Sequence, residues 1–329
     1  MVPDTSVPAS QLPTVSFVVP VRNDAAALAR CLRSIAGTSG AATTEVVVVD
    51  NGSTDGSPEV ARNAGARVLV VPNSRVSALR NKGAQATSGE FLAFVDADHE
   101  LGREWLKAAL QIMEDPAISG AGSSYSSPPD PTWVQRAYDG LRDHRPGLRR
   151  VEWLGSGSLI VRRQVFESVG GFDPSLEACE DVDLCRRLRE AGGLLVSDQR
   201  LHSIHYGDPA SLTGLFESEL WRGRNNLQVS LRERPTLRSL PGVALPVIDL
   251  ALLAGSTAAA LTSRFALTGA FLALLVVPSF ARALVVRRRT GVPLTHATAM
   301  ALTYDAARAL ALPMRMRHRR TRPRPLSTA

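Results

Sequence analysis

At 329 residues, with 44 % apolar and 21 % charged side chains, the chain is long enough for about two domains and buries a sizeable core, which excludes a disordered, collagen-like or disulfide-scaffold protein. Its net charge of +7 is unevenly placed: residues 1–231 hold 23 basic and 28 acidic side chains, residues 232–329 hold 15 and 3, so the excess belongs to the tail and the acidic remainder argues against nucleic acid as a partner. Cys31, Cys179 and Cys185 are odd in number and form no CxxC, which supports neither a disulfide framework nor a zinc site and fits a reducing compartment.

Residues 1–13 have neither a basic start nor an apolar stretch and read as a disordered leader, not a signal peptide. Four nearly continuous apolar runs, at 15–21, 45–50, 67–71 and 90–96, predict strands buried on both faces of a parallel sheet. Between them Asp24 can cap a helix whose Leu28, Cys31, Leu32 and Ile35 share one face, and residues 81–86 fall in a second helical stretch. This β-α-β-α order predicts an α/β sheet with right-handed crossovers, in which ligands gather beyond the carboxyl ends of the strands. Three polar clusters stand there: Pro20 to Asp24, Asp50 to Gly56, and Asp96 to His99. Turn chemistry alone explains any one of them, but less well three on a single rim.

Residues 122–153, rich in Ser and Pro and carrying Trp133, Tyr138 and Trp153, read as an irregular binding loop. A strand follows at 155–163. A helix then opens near Glu180, with Val182, Cys185 and Leu188 on one face and Gly192-Gly193 to close it. Asp96 and Asp98 at a strand end offer two carboxylates for a divalent cation carrying diphosphate oxygens. Glu180 and Asp181 lie in the first turn of a helix, where a carboxylate interacts favourably with the dipole and can also accept the proton of an attacking hydroxyl. Asp183 is one turn from Arg186 and Arg187 and is the helix's own ion-pair partner. His205 can complete a cation site with Asp98, and Arg80, before the fourth strand, can face phosphate or lie on a solvated helix face.

Residues 241–263 and 265–281, separated by Arg264, approach the ~20 apolar residues that cross a bilayer, although Asp249, Pro241 and Pro246 weigh against the first run. They predict a tight helical hairpin whose flanking arginines, 232, 234 and 238 on one side and 287–289 on the other, stay in the cytoplasm. Residues 291–314 predict an interfacial helix and 315–329 a polybasic anchor on anionic lipid. The domain map is a leader at 1–13, a catalytic domain at 14–231, a membrane hairpin at 232–290, then that helix and tail.

The order of motifs resembles the family 2 glycosyltransferases of the GT-A fold, in a rhamnosyltransferase-like set. The resemblance covers about Val15 to Leu231 and rests on VSFVVPVRND, VVVVDNGSTDGS, ALRNKGAQATSGEFLAFVDAD, SGSLIVRRQVFESVGGFD and CEDVDLCRRLREAGG. It implies a mixed, mainly parallel sheet flanked by helices, here followed by the C-terminal hairpin. In that family the residue matching Asp50 contacts the nucleotide base or ribose, those matching Pro20 and Arg22 line the same pocket, and the one matching Asp96 lies near the ribose. Asp98 resembles the metal-binding aspartate, Asp181, beside Glu180, the general base, and His205 the histidine that often follows.

The implied reaction is inverting transfer of one sugar from a nucleotide-diphosphate sugar, with Mg²⁺ or Mn²⁺, to a hydroxyl of a lipid-linked or cell-envelope glycan. Membrane lipids are partners, and the enzyme sits on the inner (cytoplasmic) membrane with its catalytic domain in the cytoplasm. No QxxRW follows residue 200, where Glu219 to Arg224 is only superficially similar, so processive synthesis is disfavoured; no GxGTRL-type start points to a nucleotidyltransferase. Transfer to polyprenyl phosphate is the alternative, yet a phosphate acceptor is already ionised and needs no base, so the Glu-Asp pair favours a hydroxyl. A non-catalytic membrane scaffold is a third reading.

Overall fold

The computed structural model describes residues 14–40, 42–230, 232 and 240–318. The expected leader, Arg234, Arg238 and the tail beyond 318 lie outside the described residues. The chain divides into two units, the described parts of Met1–Pro129 with Arg142–Asp208, and those of Asp130–Leu141 with Pro209–Ala329.

The first unit runs β1 (Thr14–Val21), α1 (Ala25–Ala36), β2 (Thr43–Asp50), α2 (Ser57–Asn63), β3 (Arg67–Val70), α3 (Val76–Gln85), β4 (Phe91–Val95), β5 (His99–Leu101), α4 (Trp105–Met113) and β6 (Ile118–Gly122). After α5 (Trp133–Asp139), which belongs to the second unit, it resumes with β7 (Arg149–Arg150), β8 (Ser158–Arg162), α6 (Arg163–Ser168), α7 (Glu180–Glu190), β9 (Leu194–Ser197) and β10 (Ser203–His205). Eight strands form one sheet in the order β3-β2-β1-β4-β8-β6-β9-β7. The pairs β1–β2, β1–β4, β2–β3 and β6–β9 are parallel, whereas β8 runs antiparallel to β4 and β6. The sheet is therefore mixed and mostly parallel, as expected. Because β8 is reversed, its entry meets the exit of β4, and the Asp96 amide donates to the Gly157 carbonyl at 3.1 Å.

Burial explains the patterning. Every residue of β4 is buried, and so is β1 beyond Thr14, because helices cover both sheet faces. On one face Phe17 packs with Trp105 and with Leu28, Cys31, Leu32 and Ile35 of α1, which Asp24 caps by accepting from the Ala27 amide. On the other, Phe94, Phe172, Leu184 and Leu188 pack together, with Phe94 and Phe172 edge to face at 5.0 Å. β5 and β10 form a separate antiparallel pair in which His99 faces His205 in register.

The second unit is helical: α5, α8 (Leu212–Arg222), α9 (Asn226–Ser230), α10 (Leu240–Leu261), α11 (Phe265–Thr290) and α12 (Leu294–His318). Val134, Ala137, Leu215, Ala283, Val286, Ala297, Met300 and Ala301 form its core. Both α10 and α11 are long and apolar enough to cross a membrane, and they join through the short turn at Ser263, giving the expected hairpin. Their outward residues, among them Ile248, Leu274, Val277 and Phe280, are exposed. The expected irregular segment at 122–153 differs: Thr132 and Gln135 form a capping box that starts α5, and the Tyr138 hydroxyl is buried as a donor to Glu219.

Candidate active site

The exits of β1, β2, β3 and β4 share one edge of the sheet because those strands are parallel, and hydrogen bonds tie their loops together. Asn23, held at φ +52°, donates its amide to Ser53 Oγ and accepts from the Thr54 amide at 2.7 Å. Asn51 exchanges two hydrogen bonds of 2.9 Å with Ser74. Asp50, ending β2, is 1 % exposed; its Oδ2 accepts from the amides of Gly52 and Ser53 at 3.1 and 3.0 Å. Its Oδ1 is buried with no partner among the described residues. Pro20 is buried in β1 opposite Val49, and Arg22 is exposed at the start of the adjoining loop.

β1 separates this corner from the second group. Arg80 of α3, only 2 % exposed, donates to Asp96 Oδ1 at 2.6 Å and to Glu180 Oε1 at 2.8 Å. It therefore joins the acidic pair after β4 to the first turn of α7, its guanidinium engaged by carboxylates on both sides. Cys179, at φ +60°, turns the chain into that helix. Asp183 behaves as the sequence suggests, buried and paired with Arg186 at 3.2 Å and Arg187 at 2.9 Å.

The two remaining aspartates have opposite proton affinities. Burial and the neighbouring Glu180 charge push the Asp181 carboxyl up to about 7, against the Val182 amide and Arg80, which pull it down. Burial also opposes the Asp98 charge, but the hydrogen bond and positive charge of His205 outweigh it and hold that carboxyl down to about 2. Asp98 Oδ2 lies 3.2 Å from His205 Nε2. This approach requires a glycine at 207, since a Cβ there would stand 2.1 Å from Asp98 Oδ2 and 2.9 Å from His205 Nε2.

Around this pair stand residues that sequence reading did not single out. His99 and His205 are 4.6 Å apart between ring centres, and Tyr125 sets its edge against both, at 5.0 and 4.8 Å. Tyr125 is brought there by Ser126, whose backbone hydrogen-bonds Ser203 and His205. His205 Nδ1 meets Asp208 Oδ1 at 2.7 Å. Burial disfavours charge on His205, but Asp208 and Asp98 raise it to about 9; burial and the charge of His205 lower His99 to about 4. Asp98, His99 and His205 each bring a ligand atom within 4.8 Å of one another. A carboxylate oxygen converging with imidazole nitrogens suits a divalent first-row cation, so the residues present fit the expected metal.

Residues 16–169 match the family model described as Glycosyl transferase family 2. Glycosyltransferase AglE of Haloferax volcanii is 30 % identical over 251 residues, covering 73 % of this chain and 81 % of that protein. A pre-mycofactocin glycosyltransferase of Mycobacterium tuberculosis is 32 % identical over 194 residues, 55 % of this chain and 40 % of that longer protein. Among solved structures, the mannosyltransferase PcManGT of Pyrobaculum calidifontis, in complex with GDP-Man and Mn²⁺, aligns with a TM-score of 0.59 over 90 % of this chain and 88 % of that one, at 21 % identity. The fold and the acidic rim define a GT-A glycosyltransferase. The chain belongs to glycosyltransferase family 2.

Proposed function

We propose that the enzyme moves one sugar, with inversion, from a nucleoside diphosphate to a hydroxyl of a lipid-linked or cell-envelope glycan at the cytoplasmic face of a membrane. The observation that carries this reading is the Arg80 bridge between Asp96 and Glu180, which ties the acidic pair after β4 to the first turn of α7 where Asp181 stands; His205 favours the charged form of Asp98, while burial favours the protonated form of Asp181. Paired carboxyls with separated pKa values divide naturally into a charged ligand and a base.

The unpartnered Asp50 Oδ1 accepts from the donor's base or ribose, in a pocket lined by Pro20 and Arg22. Arg80 orients Asp96 toward the ribose. Asp98 and His205 hold Mg²⁺ or Mn²⁺, which supplies positive charge to the departing diphosphate. Asp181 takes the acceptor hydroxyl's proton as that oxygen bonds to the anomeric carbon and the bond to diphosphate breaks on the opposite face. The charge of Glu180, tied to Arg80, helps keep the Asp181 proton affinity high. The apolar α10 and α11, with Arg232 near one flank and Arg287, Arg288 and Arg289 on the other, support membrane attachment with both flanks in the cytoplasm.

The test is a mass-spectrometric screen of UDP-, GDP- and dTDP-sugars with the full chain and Mn²⁺, followed by NMR of the product's anomeric configuration. Inversion at a glycan hydroxyl is expected. Retention would overturn the mechanism, and an acid-labile lipid phosphosugar as the product would assign polyprenyl phosphate as the acceptor instead.

A further inference from the structure

We infer that Asp208, clamped by Arg142, is a positioning residue that keeps the hydrogen on His205 Nδ1, so that a cation displaces the Nε2 proton and ligates there. The inference rests on the reading of Asp98 and His205 as metal ligands and asks what makes that histidine competent.

Without metal, Nε2–H of His205 faces the Asp98 carboxylate; a cation ligates that nitrogen by displacing its proton, and the imidazole that results has one lone pair, whose position is decided by what the other nitrogen meets. At His205 the other nitrogen, Nδ1, meets Asp208 Oδ1 at 2.7 Å. The Asp208 side chain is fully buried, and Arg142, itself only 10 % exposed, grips both of its oxygens. Ser127 Oγ adds a donor to Oδ2 at 2.9 Å. A carboxylate surrounded by donors acts only as an acceptor, so His205 Nδ1 must carry the hydrogen. Nε2 is then the nitrogen that faces Asp98, at 3.2 Å.

Arg142 also fixes the walls of the site. Its guanidinium lies 4.2 Å over the Tyr125 ring, and Tyr125 packs edge-on against His99 and His205. Arg142 and Asp208 thus set both the tautomer and the ring plane of His205. A buried ion pair is weak evidence of stabilisation in its own right, and its contact with the ligand-bearing ring gives this one a positional role. Partners of this kind behind a ligating histidine typically alter metal affinity by about 10- to 100-fold when removed.

The experiment titrates Mn²⁺ alone into the full-length protein, by calorimetry or by the paramagnetic resonance of free Mn²⁺, with thermal melts to confirm folding. Asp208→Asn should weaken Mn²⁺ binding by about 10- to 100-fold. Arg142→Lys, which keeps the charge but loses the two-pronged grip, should weaken it in the same direction and serves if the first variant does not fold. Asp98→Ala should lose the site altogether. Loss in Asp98→Ala with wild-type affinity in Asp208→Asn and Arg142→Lys would overturn the positioning role alone. Wild-type affinity in Asp98→Ala would overturn the metal reading beneath it.

Discussion

Arg80 reaches Asp96 and Glu180 from a side chain only 3 % exposed, so removing it leaves two carboxylates crowded together without a counter-charge. Arg80→Met should therefore lower stability by ~3–5 kcal/mol, the usual loss when one partner of a buried pair is deleted, as read from urea denaturation; a change under ~1 kcal/mol would place the charge compensation elsewhere. Asp181 makes a second prediction at this scale. Its folded pKa, about 7, lies above the ~3.9 of an unfolded chain, so the native state holds the extra proton and stability falls as pH rises from the unfolded value through the folded one. Asp181→Asn should remove that penalty and melt higher than the wild type at pH 8, with the difference vanishing at acid pH. For the wild type, kcat/KM should fall as pH drops through about 7, because the base must be ionised. Asp183 was readable in the sequence since its partners are three and four residues away. Arg80's role as a bridge was not, because Glu180 is brought to it only by the fold.

α3 carries Arg80 and lies close to the sheet through Gly83, where a Cβ would stand 2.3 Å from Val18 Cγ1 and 3.0 Å from Val49 Cγ2. Gly83→Ala should push the helix outward at a cost of ~1–3 kcal/mol and lower kcat by displacing Arg80 one turn away. A thermal melt paired with turnover checks both effects, and unchanged values would show that the helix yields freely. At this scale the buried strands were legible because continuous apolar runs have one good solution between two helical layers. The reversal of β8 is a tertiary outcome with no local signature. The three-residue strands β5 and β10 are too short for periodicity, yet their register sets His99 opposite His205. α5 did carry a signal, Thr132 followed three residues later by Gln135, but the Ser- and Pro-rich run before it dominated the reading.

The chain passes between its two units at 129/130, 141/142 and 208/209, and Ser127, Arg142 and Asp208, linked by hydrogen bonds within the first unit, sit beside those passages. For the membrane reading, a Cys179→Ser background with Ser263→Cys, in the turn between α10 and α11, should react with an impermeant maleimide in intact expressing cells. Glu59→Cys, exposed on α2 of the catalytic unit, should react only after permeabilisation; labelling of Glu59→Cys in intact cells would reverse the topology. Two long apolar helices were legible from composition. The buried contacts of Asp305 with Ser279 and Arg282, and of Arg308 with Glu219, arise from helix packing that spacing alone does not reveal.

The most direct test of the account compares wild type and Asp181→Asn for sugar transfer and for donor binding in Mn²⁺. Transfer should fall by about 10²- to 10⁴-fold, the range for losing a general base, while donor affinity stays at the wild-type value. Transfer at the wild-type rate, or a loss confined to donor binding, would contradict the assignment of Asp181 as the group that activates the acceptor.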